Sequence, residues 1–268
     1  MILQFSQNVR QQRSYADETR RETKHMNLSD HIIQEAFEND WHTCFYQPKV
    51  EPSIEKVTGV EALFRLDIPE EGIFAPGVFI DRAFALGYEE EIFFTVLEQS
   101  LTEIKSLSVH LNLAVNVSNK VLANPDNVEK VREFLWNASF KAEQLTFELS
   151  ENDQLDEQLC EQIKRFKSLG VRISIDDFGI GYSDINKVMG LNVDEVKFDK
   201  SIVNSIEPAS SDLVKRTLAY CKESGIETVA EGVEDTDTRQ LIHELGFDSY
   251  QGFLYSKPLP LTDLRFVM

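Results

Sequence analysis

From about residue 44 onward the chain alternates short β-rich runs with amphipathic segments, and no other feature narrows the fold as much. The runs lie near 44–50, 57–66, 109–118, 144–150, 171–177, 193–199, 227–233 and 248–255. Between most of them the apolar residues take helical spacing. In Gln154–Leu169, for example, Leu155, Leu159, Ile163 and Phe166 form one stripe that stops at Gly170. The first two runs are separated only by the few residues around Pro52 and Lys56, too few for a helix, so they are expected to form an antiparallel hairpin. The later strands alternate with helices and are expected to run mostly parallel. Eight such strands predict an α/β fold, a (β/α)8 barrel in one domain with one irregular strand. Upstream, Asn27 or Ser29 is placed to cap an N-terminal helix reaching about Asp40, with Ile32, Ile33, Ala36 and Phe37 on its apolar face.

Side chains along a strand point alternately to its two faces, and here one phase of each strand is polar. Glu61, Leu63 and Arg65 alternate with Val60, Ala62 and Phe64. His110, Asn112, Ala114, Asn116 and Ser118 alternate with a purely aliphatic set, and Thr146, Glu148 and Ser150 with Leu145, Phe147 and Leu149. Glu195, Lys197 and Asp199 flank Val196 and Phe198, while Gln47, Glu231 and Gln251 hold comparable places in the first, seventh and eighth runs. In a closed barrel the polar phases converge on the axis. A barrel interior filled only for stability favours Val, Ile and Leu, so polar groups there point to a site. The competing arrangement, an open antiparallel sheet with one solvated face, leaves the helical segments nothing to pack against.

The run Val171–Phe178 ends in two adjacent carboxylates, Asp176 and Asp177, and is followed by Gly179 and Gly181. Alternation puts Ile173 and Ile175 on one face and Arg172, Ser174 and Asp176 on the other. Two acids closing a buried strand need a positive partner, and no lysine or arginine follows within the run. Oxygen-only ligands suit magnesium or manganese; an Asp-Asp turn capping the next helix is the other reading. Glu61, Asn116, Glu148, Asp176 and Asp177, with Lys197 and Glu231 nearby in barrel order, offer enough oxygens for one or two hard cations. Two ions about 3.5–4 Å apart are the arrangement that clamps attacking and leaving oxygens in phosphoester hydrolysis. Lys197 and Glu231 are then placed to orient or deprotonate the water.

A net charge of -19 argues against a nucleic-acid duplex or an anionic membrane as partner, though not against a small anion carried on a metal. Cys44, Cys160 and Cys221 are few and widely spaced, which fits a reducing compartment, and the five histidines show no zinc-ligand spacing. No apolar run is long enough to span a bilayer and no signal peptide is read in the opening residues, so a cytoplasmic protein is expected. Residues 1–27 differ from the rest: five basic groups face three acidic ones and apolar residues are few. They read as a poorly ordered arm or linker, leaving 28–268 as the folded domain.

These residues also form a family pattern. Glu61-Ala62-Leu63-Phe64-Arg65 resembles the Glu-Ala-Leu-x-Arg motif of the EAL-domain cyclic di-GMP phosphodiesterases. Tyr46-Gln47-Pro48, Val115-Asn116-Val117-Ser118, Glu148-Leu149-Ser150-Glu151, Asp176-Asp177-Phe178-Gly179, Lys197-Phe198-Asp199, Ala230-Glu231-Gly232-Val233-Glu234, Gln251-Gly252-Phe253 and Ser256-Lys257-Pro258-Leu259 resemble further segments, in family order, from about residue 44 to 260. The resemblance implies a modified TIM barrel with its first strand antiparallel, hydrolysis of cyclic di-GMP to linear pGpG with magnesium or manganese (two ions), and a homodimer. By position, Glu61, Asn116, Glu148 and Asp176 resemble ligands of one metal, with Asp176 and Asp177 at the second. Lys197 resembles the water-orienting cation and Glu231 the carboxylate that assists deprotonation, so Glu61, Lys197 and Glu231 form the expected catalytic group. Gln47, Arg65 and Gln251 resemble substrate contacts, and Glu151 the residue that holds the loop after Asp177. Asp199 is divided between the substrate side and capping of the helix that begins at Lys200. Tyr46, Phe178 and Phe253 read as packing residues.

Two departures stand out. Ile180 sits where the family commonly has a small or hydroxyl residue, in a loop that couples metal binding to dimerisation in relatives, and Ile80–Glu91 departs from the usual pattern. The alternative to an enzyme is a catalytically silent EAL module that binds cyclic di-GMP or a protein; such members usually lack one of the acids or the lysine, and all are present here.

Overall fold

The computed structural model describes residues 28–107, 109–150, 156–179, 192–204 and 211–267. The arm 1–27, Glu151 and Ile180 lie outside the described residues. Strands β1 (His42–Glu51) and β2 (Lys56–Ile68) form the expected antiparallel hairpin. A short β3 (Gly72–Phe74) folds back on the end of β2 and lies outside the barrel. Then come β4 (Asn112–Asn116), β5 (Leu145–Ser150), β6 (Arg172–Phe178), β7 (Glu195–Phe198), β8 (Glu227–Ala230) and β9 (Ser249–Tyr250). From β2 through β4 to β9 every neighbour is parallel, and β1 closes the ring between β9 and β2, antiparallel to both. The result is an eight-stranded mixed barrel, as expected. β9 is much shorter than the expected run 248–255, because the chain turns just beyond it at Gly252. A Cβ there would come within 2.3 Å of the Val233 backbone.

Helices fill the crossovers. They are α1 (Asp30–Glu38), α2 (Ile80–Ala85), α3 (Glu89–Ser106), α4 (Asn119–Ala123), α5 (Asn127–Asn137), α6 (Glu157–Ser168), α7 (Lys200–Asn204), α8 (Ser211–Ser224), α9 (Thr236–Leu245) and α10 (Leu261–Leu264). Ser29 is the cap of α1, its hydroxyl accepting from the Ile32 N–H, and Phe37 of that helix stacks on Phe64 of β2. Asp156 caps α6 through the Leu159 N–H at 2.8 Å.

The apolar phase of the strands faces these helices. Phe147 of β5 is fully buried between Phe93 of α3 and Phe166 of α6, with ring centroids 5.4 and 5.3 Å away in edge-to-face contacts. Phe178 and Phe198 form a second such contact, extended by Phe247. Burial of each such ring stabilises by roughly 1.5–3 kcal/mol, so this outer layer carries the fold. Tyr46 and Phe178 pack as expected, whereas Phe253 is 43% exposed with the Lys257 ammonium over its ring. Among the described residues no helix is long and apolar enough to cross a membrane.

Candidate active site

Opposite residues of paired strands share a face, so the register assigns the interior. Gln47 lies opposite Glu61, Glu61 beside Ala114, Asn116 beside Glu148, Glu148 beside Ser174 and Ser174 beside Glu195. The polar phases therefore do converge.

At their centre stands the buried Lys197 ammonium. It lies 2.9 Å from Glu231 Oε1, 3.0 Å from Asp176 Oδ1, 3.1 Å from Glu148 Oε2 and 3.4 Å from Glu61 Oε2. Side chains from four strands thus meet at one cation. Glu61 is held from two further sides: Asn116 Nδ2 donates to Oε1 at 2.9 Å and Gln251 Nε2 to Oε2 at 2.6 Å. Gln251 Nε2 also reaches Gln47 Oε1 at 3.3 Å, and Gln47 Nε2 donates to the Ser256 carbonyl.

Alternation alone puts Asp176 and Asp177 on opposite faces, yet both line the same cavity with Glu61, Asn116 and Glu148. A bulge reconciles the two facts. Ile175 pairs with Val196 and Phe178 with Phe198, so both aspartates stand opposite Lys197. Asp177 takes the left-handed conformation at φ 58°, which Asp tolerates better than most residues. Oxygens of Asp176, Asp177 and Glu231 fall within 4.8 Å of one another. The signal was present in the sequence: the buried residues step Ile173, Ile175, Phe178, and the step of three marks the extra residue.

The remaining expected residues sit around this centre. Arg65 is buried in the interior phase, its Nη1 donating to the Phe64 carbonyl and its guanidinium 5.4 Å from the Phe45 ring centre. Asp199 acts as a cap, accepting from the Ser201 N–H at 2.7 Å. The cavity above the carboxylates has a volume of about 490 Å³, and its far wall is apolar, with Pro76, Ile80 and Phe84. That size is in the range of small-molecule sites.

One residue the sequence reading passed over belongs here. Lys49, two residues after Gln47 in the interior phase of β1, is buried and bridges Glu148 Oε1 at 3.1 Å and Glu195 Oε1 at 2.8 Å.

Among the described residues the charges do not balance at the mouth of the barrel. Glu61, Glu148, Asp176, Asp177 and Glu231 face the single ammonium of Lys197, while the charge of Lys49 is shared with Glu195. Burial raises Glu61, but the pull of Lys197 and hydrogen bonds from Gln251 and Asn116 outweigh it, bringing it down to about 2. Burial and the charge of Glu61 push Glu148 up to about 8 against the pull of the two lysines. Burial likewise carries Glu231 up to about 7. Asp177 is raised by burial and by Asp176 and Asp199. Burial by itself lowers Lys197, but its four carboxylates outweigh it and hold its pKa well above the usual lysine value. A surplus of negative charge, carried on carboxylates with the Asn116 amide oxygen beside them, is the donor set of a hard divalent cation. The residues present fit magnesium or manganese.

A family model described as EAL domain matches residues 30–258. The chain belongs to this family. A curated relative, the cyclic di-GMP phosphodiesterase PdeR of Escherichia coli, is 30% identical over 238 residues, which cover 86% of this EAL chain and 36% of PdeR. The chain spans about a third of the length of the curated relatives it matches. Among solved structures, the PaMucR phosphodiesterase in complex with c-di-GMP aligns with a TM-score of 0.80 at 30% identity, covering 87% of this chain and 98% of that one. Klebsiella pneumoniae BlrP1, in a manganese/cy-diGMP complex, aligns with a TM-score of 0.72 at 25% identity over 82% of this chain and 56% of its own.

Proposed function

We propose that this EAL domain hydrolyses one phosphodiester of cyclic di-GMP to give linear pGpG, using two magnesium or manganese ions. The observation that carries the reading is the convergence of five carboxylates and one lysine from five strands, with negative charge in excess among the described residues. Glu61, Asn116, Glu148 and Asp176 would hold one ion, and Asp176 and Asp177 the second. Bound there, divalent cations supply an acidified water and offset the charge that develops on phosphoryl oxygens.

The chain's own residues do the rest. Glu231, poised near neutrality beside Lys197, is suited to take the proton of the attacking water. Lys197, cationic throughout the working pH range, orients that water and the carboxylates around it. Gln251 and Asn116 fix the Glu61 carboxylate, so these two amides position a ligand; Gln47 and Gln251 border the substrate side. Arg65, its guanidinium beside Phe45, would serve a phosphate or a guanine edge. Asp199 keeps one oxygen on its cap, and its second would serve the substrate side. Residues 28–268 act as the catalytic unit, a homodimer in the cytoplasm; Glu151 would hold the loop after Asp177.

Replacing Glu61 by Ala removes a ligand and the partner of Asn116, Gln251 and Lys197. Cyclic di-GMP turnover is expected to fall by at least about a thousandfold, roughly 4 kcal/mol of transition-state stabilisation, in a variant whose circular dichroism is native. Full activity of that variant would overturn the assignment.

A further inference from the structure

Below the carboxylates at the barrel mouth lies a second charged layer that the reaction does not explain. Lys49 and Glu195 are 7% and 6% exposed and form a 2.8 Å ion pair across the interior, from β1 to β7. Neither lines the cavity above the carboxylates; both line a separate small cavity with Thr58, Asn112 and Glu227. Gly59 lies directly opposite Lys49 on β2 and contributes no side chain to that face, which leaves the interior open for the lysine. A buried ion pair contributes little net stability compared with apolar side chains of the same volume. In a barrel where Val, Ile and Leu would fill this layer, the pair has a different consequence to explain it.

That consequence is visible at Glu148. Its two oxygens are divided: Lys197 holds Oε2 at 3.1 Å from the site side, and Lys49 holds Oε1 at 3.1 Å from below. With Oε1 engaged by Lys49, the oxygen left facing the other carboxylates is Oε2, beside Lys197, and the two contacts together fix the plane of the group. Glu195 in turn anchors Lys49, and the Ser174 position separates Glu195 from Glu148 along the sheet. We infer that Lys49 is a positioning residue: tethered by Glu195, it fixes Glu148 as a one-oxygen ligand presented to the metal site. The inference rests on the metal-site reading proposed above. Outer partners of this kind commonly change metal affinity by about 10–100-fold when removed.

The test measures Mn2+ binding by the full chain without nucleotide, following free Mn2+ by electron paramagnetic resonance, alongside the thermal midpoint. The deciding variant is the double substitution Lys49→Met with Glu195→Met. It removes one positive and one negative charge together, so the net charge near the ion is unchanged and an altered affinity reports orientation. The expected result is Mn2+ binding weakened by about tenfold or more, with a midpoint equal to or above that of the wild type. Lys49→Arg, which keeps a donor for both carboxylates, is expected to stay within about threefold of wild-type affinity. The single Lys49→Met leaves Glu195 buried without its partner and is expected to lower the midpoint; if it fails to fold, the double variant still decides. Wild-type Mn2+ affinity in a folded double variant would overturn the role of Lys49. Absence of Mn2+ binding by the wild type would instead overturn the metal-site reading, and the inference with it.

Discussion

The two faces of the same strands have diverged in what they do. Phe147 and Glu148 are neighbours in β5, both almost fully buried, yet one sits among aromatic rings and the other between two lysines. The outer face is apolar, packed and electrostatically quiet, and it supplies the stability of the barrel. The inner face is charged, with pKa values pulled in opposite directions, and holds groups that are costly to bury. Stability and chemistry are separated by one residue of register. A slip of a single residue in any strand would exchange the two sets, so the outer packing also fixes which side chains reach the site.

The comparison predicts that damage to one face leaves the other's work intact. The largest effect on stability is expected from Phe147→Ala, which empties the space between Phe93 and Phe166 and destabilises by about 3–5 kcal/mol. Denaturant unfolding measures that loss, while Mn2+ affinity of the molecules that remain folded should be unchanged. A folded Phe147→Ala protein that binds Mn2+ more weakly than the wild type would show that the faces are not separable as described.

A smaller effect is expected from pH on the inner face. Glu148 and Glu231 have folded-state values of about 8 and about 7, against 4.5 when exposed. The folded chain therefore holds these protons more tightly than the unfolded chain. Their contribution to stability is full below about pH 4.5 and is lost as pH rises through 7 and 8. Glu61 has the opposite sign, since at about 2 its contribution is present above 4.5 and lost only in strong acid. In chelator, the thermal midpoint is expected to fall by several degrees between pH 5 and 8, and saturating Mn2+ should reverse that slope by favouring the ionised carboxylates. A flat midpoint in chelator over that range would contradict the surplus of negative charge.

Much of this was legible in the sequence because a period of two survives in short strands. The hairpin was read from a loop too short for a helix, and Glu61, Asn116, Glu148, Lys197 and Glu231 from their shared phase. Three things were not legible, for physical reasons. The aspartate bulge breaks the period, so alternation misplaces Asp177 unless the Ile175-to-Phe178 step is weighed. Lys49 sits in the right phase, but a lysine in an edge-like β1 reads equally as solvated until closure of the barrel buries it. β3 has only three residues and draws its pairing from the end of β2, so no periodicity announces it.

The central claim is that the barrel interior is a metal-dependent phosphodiester-hydrolysing site. Its most direct measurement incubates the purified chain with cyclic di-GMP and magnesium or manganese, with a chelator control, and separates the nucleotides over time. The account predicts pGpG that accumulates only with the metal. Cyclic di-GMP left intact by folded protein with Mn2+ bound would contradict it and leave a binding module in its place.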